Sequence, residues 1–302
     1  MPIVALVCPC TPGRLPLDHF KNGCKGIDGG MKMPLAWARR IVRGRLGDRY
    51  HADGRLTTTR LLTCPRETLI QDLLPVVFDV RAANSLEWGT AIHSHLETEP
   101  EEDQYVEIRF GGPGDALPAA RLFAGQGIQG AEDGILICGK VDHVTLGYGE
   151  IHDYKCHGES SQKFKASGKL DETTAAQMNI YRLALEQVVI EATAGCFQRL
   201  IAYHGAMTAA RGPEPWIPQV QPMMTEEEIL NTRTSGGTST VREHIEDYVG
   251  FKARAEAGME LRENLKLLPL RGRTMYGKKK CSDYCMPGTK AECDGLEGIY
   301  TF

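Results

Sequence analysis

The feature that most constrains this chain is a strand-turn-strand pattern near its middle. Ile135 to Thr145 and Glu150 to Cys156 are strand-length runs, and Leu146-Gly147-Tyr148-Gly149 between them has the residues of a hairpin turn. Ahead of the hairpin, Tyr105 to Phe110 alternates, with Val106, Ile108 and Phe110 on one face and Glu107 and Arg109 on the other. Behind it, Asp171 to Glu191 carries the strongest helical signal. Acidic residues and threonines open it at the positive end of the helix dipole, and Ile180, Leu183, Ala184 and Val188 form a stripe. Arg199 to His204 and Trp216 to Gln221 read as further strands. Leu56 to Leu74, Gly89 to Leu96 and most of Glu226 to Lys266 read as helices, the last interrupted at Thr232 to Thr240.

Strands and helices therefore share one chain of 302 residues, enough for one large α/β domain with extensions. The first 55 residues, rich in Gly, Pro and Arg and weakly periodic, are expected to form an N-terminal extension ahead of a main domain over 56–302. Apolar runs such as Gly134 to Cys138 are far shorter than a bilayer span. Met1 to Cys10 lacks a basic lead and is broken by Pro2 and Pro9, so the expectation is a cytoplasmic protein without a membrane partner.

A net charge of −4 does not advertise a nucleic-acid binder, yet two basic runs stand out. Arg39, Arg40, Arg43, Arg45 and Arg49 form one, and Arg271, Arg273, Lys278, Lys279 and Lys280 the other. Each fits phosphate contacts or an ordinary solvated surface. Ten cysteines without a secretion signal point to metal ligation or buried thiols rather than disulfides. Cys8, Cys10 and Cys24 with His19 compose either a zinc site or reduced thiols of the extension. Cys138, Cys156 and Cys196 are expected as buried core thiols. Trp37, Trp88 and Trp216 are too scattered to compose a base-stacking platform.

The hairpin also carries chemistry. Gly139-Lys140-Val141-Asp142 ends one strand, and Asp153-Tyr154-Lys155 lies on the next. Carboxylates on paired strands lie about 5 Å apart and can converge on a hard divalent cation, which prefers oxygen ligands. Asp153 and Lys155, two apart, share a strand face, so an ammonium stands beside the metal-holding carboxylate. There it can orient a water or stabilise charge on a phosphate. Alone, an Asp-x-Lys pair on a strand is common and reads first as a surface ion pair. Two further spacings add to it: His93 and Glu97 share one face of a helix, and Gln177 and Tyr181 share one face of another. His95, His143 and His152 fall on the opposite faces from their neighbours.

Gly89-x-x-x-His93, Gly139-x-x-Asp142, Asp153-x-Lys155 and Gln177-x-x-x-Tyr181, in that order, resemble the RecB-like branch of the PD-(D/E)XK nuclease superfamily. The resemblance spans Gly89 to Tyr181, about a third of the chain. It implies a restriction-endonuclease-like core, a central mixed β-sheet flanked by helices. It also implies a Mg²⁺- or Mn²⁺-dependent deoxyribonuclease, an exonuclease or DNA-end-processing enzyme, with DNA as partner and a helicase or integrase as a conceivable second one. His93, Asp142, Asp153 and the Tyr154 carbonyl would hold the metal, Lys155 would be catalytic, and Gln177 and Tyr181 would contact DNA or brace the site.

Some members carry one cysteine before the histidine motif and three after the core, holding a [4Fe–4S] cluster that joins the ends of the domain. Cys64, then Cys281, Cys285 and Cys293, follow that order. Their tail spacing, three and seven intervening residues, is wider than usual for the family, and Cys₄ zinc fits the same set. Two rival readings accompany the enzyme: a non-catalytic DNA-binding or scaffold protein that keeps the fold, and a zinc-stabilised interaction module.

Overall fold

The protein is described from a computed structural model over residues 5–8, 11–15, 55–74, 77–79, 91, 93, 104–157, 168, 170–189, 194–206, 216–234, 239–268 and 293. The expectations for Cys10, His19, Cys24, His95, Glu97, Cys281, Cys285 and both basic runs lie outside the described residues. In chain order come β1 (Ala5–Cys8), β2 (Thr11–Leu15), β3 (Leu56–Thr57), α1 (Thr58–Leu61), α2 (Pro65–Leu73) and β4 (Val77–Asp79). Then follow β5 (Gln104–Phe110), β6 (Ala120–Leu122), β7 (Ile135–Thr145), β8 (Glu150–His157) and α3 (Glu172–Val188). Last are β9 (Arg199–Ala206), β10 (Trp216–Gln221), α4 (Glu226–Asn231), α5 (Val241–Glu256) and α6 (Leu261–Lys266).

β7 organises the sheet. Ile137, Cys138, Val141 and Val144 are fully buried, as in a strand covered on both sides. β3 pairs with β7 in parallel, and β5, β6 and β8 pair with it antiparallel. β9 extends β8 in parallel, and β10 runs antiparallel beside β9. Among the described residues this is a seven-stranded mixed sheet whose main path runs β10-β9-β8-β7-β3. With its flanking helices it makes the chain α/β. A separate sheet joins β1 antiparallel to β2 and parallel to β4, so the first strand shares a sheet with a segment well beyond residue 55.

α3 packs against β7, β8, β9 and β10. Ala176, Ile180, Ala184, Leu185 and Val188 join Val144, Ile151, Leu200 and Ala202 in the core. Asp171 caps this helix by accepting from the Thr173 N–H at 3.0 Å. α4 and α5 begin with reciprocal capping boxes, Thr225 with Glu228 and Thr240 with Glu243. The hairpin turns through a short 3-10 segment (Leu146–Tyr148), closed by Gly149 at φ 63°, a left-handed position where glycine costs least. Among the described residues no helix is long and apolar enough to cross a membrane.

Two expectations need correction. Leu56 to Leu74 is not one helix: it opens as a strand, turns once in α1 and restarts at Pro65. Proline disfavours helical backbone in the residue before it, and Cys64 accordingly sits extended at φ −65°, ψ 125° as the cap of α2. β5 does not alternate cleanly either, because Glu107 adopts φ 51°. Arg109 and Lys140 are cross-strand partners, a like-charge pairing that destabilises a sheet. Glu107 answers it by pairing with Lys140 and, at 2.9 Å, with Arg109. The left-handed backbone costs about 1–2 kcal/mol, which these partly exposed ion pairs offset in part.

Candidate active site

The hairpin separates its polar residues by face. His143 and His152 are direct cross-strand partners, and so share one side of the sheet. Asp153 and Lys155 project to the other, beside Ala202 and His204 of β9 and under α3. Asp142 and Asp153 are buried at 6% and 3% exposure, which makes their compensation the central question of the site.

Each carboxylate is answered differently. Asp142 Oδ1 lies 3.3 Å from His93 Nδ1, and Oδ2 accepts the Tyr154 N–H at 2.9 Å. The main-chain group in contact with Asp142 is thus the Tyr154 amide. Asp153 Oδ1 accepts from Lys155 Nζ at 3.1 Å. Its Oδ2 stands 2.9 Å from the same ammonium but in poor hydrogen-bond alignment, and no donor among the described residues satisfies it. Lys155 Nζ also donates to Gln177 Oε1 at 2.9 Å, and Gln177 Nε2 donates to the Tyr181 hydroxyl at 3.0 Å. His93, Asp142, Asp153, Lys155, Gln177 and Tyr181 therefore meet in one site, drawn from a helical turn, two strands and α3. Among the described residues no three His, Cys, Asp or Glu side chains are grouped closely enough to hold a metal ion as they stand. His93 and Asp142 satisfy one another instead.

The electrostatics follow from these contacts. Burial pushes Asp142 up, but the His93 hydrogen bond and charge, the Tyr154 amide and Lys155 outweigh it and hold the carboxyl below its usual range. Asp153 goes the other way: burial, helped by the nearby Asp142 charge, raises it despite Lys155. Burial opposes the charged form of Lys155, yet Asp153 and Asp142 outweigh it and keep the ammonium protonated. The hydrogen bond to Asp142 raises His93 against its burial. Burial raises Tyr181 far above the phenol range, so it acts as a neutral brace.

The glycine of the Gly139-x-x-Asp142 motif has a packing reason. A Cβ at Gly139 would sit 3.0 Å from the Phe110 ring and 3.2 Å from the Tyr181 ring. The bare backbone lets Tyr181 lie on β7, where its hydroxyl takes the Gln177 amide, without either ring giving way. Gln177 in turn steadies Lys155.

On the opposite face, His143 and His152 stack at 4.7 Å and His152 stacks on Tyr203 at 5.8 Å. Tyr154 leans on Tyr203 at 5.6 Å and meets the Trp216 edge at 6.1 Å. Trp216 thus belongs to a ring cluster that no local spacing announced. Its rings contact one another across strands, and Tyr154 also meets the His93 ring at 6.2 Å in a T-shaped contact.

Sequence reasoning passed over Lys140 and Glu107. Lys140 lies close enough to His93 to oppose its protonation, and Glu107 holds Lys140. Lys140 falls inside the Gly139–Asp142 motif, but nothing local signals the left-handed Glu107 facing it. The cysteines divide as well. Cys138 is fully buried, donates to the Leu56 carbonyl at 3.7 Å, and has its thiol pushed up to about 11 by burial. Cys156 and Cys196 are only half-buried rather than buried: Cys156 lies toward the end of β8, whereas Cys196, just after the turn that follows α3, packs against the core. Cys64 and Cys293 carry no disulfide, and Cys293 Sγ accepts from Arg66 Nη1 at 3.9 Å.

No family model matches this chain, and no curated protein matches it. One solved structure, described as the crystal structure of SSO0001, superposes with a TM-score of 0.43 and 12% identity over 70% of this chain and 82% of that one.

Proposed function

We propose that the chain is a metal-dependent deoxyribonuclease with a restriction-endonuclease-like core of the RecB-like PD-(D/E)XK kind, acting on DNA ends. The observation that carries this reading is a buried carboxylate pair, Asp142 and Asp153, beside His93 and a protonated Lys155, with Asp153 Oδ2 lacking a hydrogen-bond donor among the described residues. Buried like charges without full compensation are costly, so such a pair is retained where a further cation completes it. The donor set, carboxylate oxygens with one imidazole, fits Mg²⁺ or Mn²⁺. His93, Asp142 and Asp153 would hold the ion, His93 and Asp142 releasing one another to do so. When bound, the ion supplies Lewis-acid stabilisation of phosphate charge and an acidified water.

The chain's own groups have definite tasks. Lys155, charged and held between Asp153 and Gln177, presents an ammonium to the charge that develops on the scissile phosphate. Gln177 and Tyr181 keep that ammonium from swinging away, which matters because misplacement of about 1 Å costs orders of magnitude in rate. Lys140, next to His93 and held by Glu107, is placed to meet a flanking phosphate. Cys64 and Cys293, both near Arg66 of α2, suit two of the four thiolates of a [4Fe–4S] or zinc group.

End-labelled single- and double-stranded DNA, incubated with Mn²⁺ and the parent protein or Lys155→Ala, tests this. Cleavage by the parent alone is the expected result. Equal cleavage by both proteins overturns the assignment of Lys155, and no cleavage by either alongside intact DNA binding favours the scaffold reading, which the mutual satisfaction of His93 and Asp142 also suits.

A further inference from the structure

Arg66, near the N-terminus of α2, is buried at 2% exposure, an unusual position for a guanidinium. Its contacts come from residues roughly two hundred positions away. Nε donates to the Leu268 carbonyl at 3.1 Å, and Nη2 donates to the Lys266 carbonyl at 2.9 Å and also to that of Leu268. Nη1 donates to Cys293 Sγ at 3.9 Å. α6 ends at Lys266, so the Lys266 carbonyl is one that a helix C-terminus leaves without an intrahelical partner, and Leu268 lies just past the C-cap. The helix that carries Arg66 is capped by Cys64, whose thiol makes no capping bond. One planar fork thus ties the end of α6 and the thiol of Cys293 to the first turn after Cys64.

We propose that Arg66 is a positioning residue that seats Cys293 beside Cys64 before any metal group binds, and then donates an N–H···S bond to that ligand sulfur. The second half rests on the reading of these cysteines as metal ligands; the first does not. Bringing Cys293 to Cys64 closes a loop of more than two hundred residues, and a ligand already in place spares the metal group that ordering cost. Arginine suits the task because its donors point in fixed, divergent directions, so two carbonyls and a sulfur are held by one side chain. A lysine reaches these groups only as a point charge. Donors to cluster sulfurs are also a lever on reduction potential.

The experiment uses the full chain, freed of metal by chelation, as parent, Arg66→Lys and Arg66→Met. Hydrogen–deuterium exchange is followed in the peptide carrying Cys293 and in the β7 peptide as internal control. The expected result is exchange at Cys293 at least about tenfold faster in Arg66→Met, an intermediate value in Arg66→Lys, and unchanged β7. Unchanged exchange at Cys293, or equal acceleration in β7, overturns the seating role, the latter because Arg66 would then be a general prop. A second arm reconstitutes the parent and Arg66→Lys with ferrous iron and sulfide and measures visible absorbance and midpoint potential. A more negative potential in Arg66→Lys supports the N–H···S bond, and an identical one removes it. A parent that takes up neither iron nor zinc removes the ligand reading and the bond with it, while the exchange contrast still decides the seating.

Discussion

The two faces of the β7–β8 hairpin differ by one residue of register and by everything else. On one, Asp142, Asp153 and Lys155 lie beneath α3 and compensate one another as ions. On the other, His143, His152 and Tyr154 pack as rings. Two histidines, His93 half-buried and His152 buried, illustrate the contrast. The Asp142 contact raises His93, whereas burial, with the charge of His143 second, drives His152 down to about 4. His152 also has a carboxylate beside it, Glu150 at 3.3 Å, but burial and His143 outweigh it, whereas at His93 the contact with Asp142 outweighs burial. A charge kept at such cost marks the face where chemistry is expected.

The largest break in this comparison comes from Lys155→Ala, expected to lower the Mn²⁺-dependent cleavage rate by about 10²–10³-fold or more, as loss of a transition-state charge partner does. His152→Phe, one strand face away, keeps the ring stack and is expected to cut within about twofold of the parent; comparable losses would refute the division of labour. Next is Asp142→Ala. It should raise the Mn²⁺ concentration needed for half-maximal cleavage by at least about tenfold, visible in a metal titration. Gly139→Ala sharpens the link between packing and chemistry. Its methyl group meets the Phe110 and Tyr181 rings, so urea unfolding should show a loss of about 1–3 kcal/mol. Its turnover should also fall more than its substrate affinity, because Tyr181 holds Gln177 against Lys155.

The smallest effect concerns Cys138, behind both faces. Its thiol is raised from 9.0 to about 11 chiefly by burial, so the folded state keeps a proton that the unfolded chain releases above pH 9. Its contribution is complete below pH 9 and fades as pH rises towards 11. Parent stability should therefore fall more steeply than that of Cys138→Ala across this window, as read from thermal melts at successive pH values.

Several elements were legible in the linear chain. β7 and β10 run as their patterns predict, and α3 starts where Asp171 offers a cap. Long strands buried on both faces and amphipathic helices write their period into consecutive residues, and caps are local by nature. β6 was not foreseen, since three residues give no period, and neither was the break at Cys64-Pro65. Within the site, Asp153 and Lys155 were legible because a two-residue spacing fixes a strand face. The way the two acids are satisfied was not: His93 for one, a shared ammonium for the other.

What the sequence determined by itself is the set of periodic elements and the order of the four motifs, because alternation, caps and turn residues act between near neighbours. The tertiary structure alone decided that Gly139 admits Tyr181, that Glu107 turns left-handed to separate two cations, and that Arg66 grips Cys293. Those outcomes depend on groups that meet only after the sheet has formed, and desolvation there sets costs that no local pattern encodes.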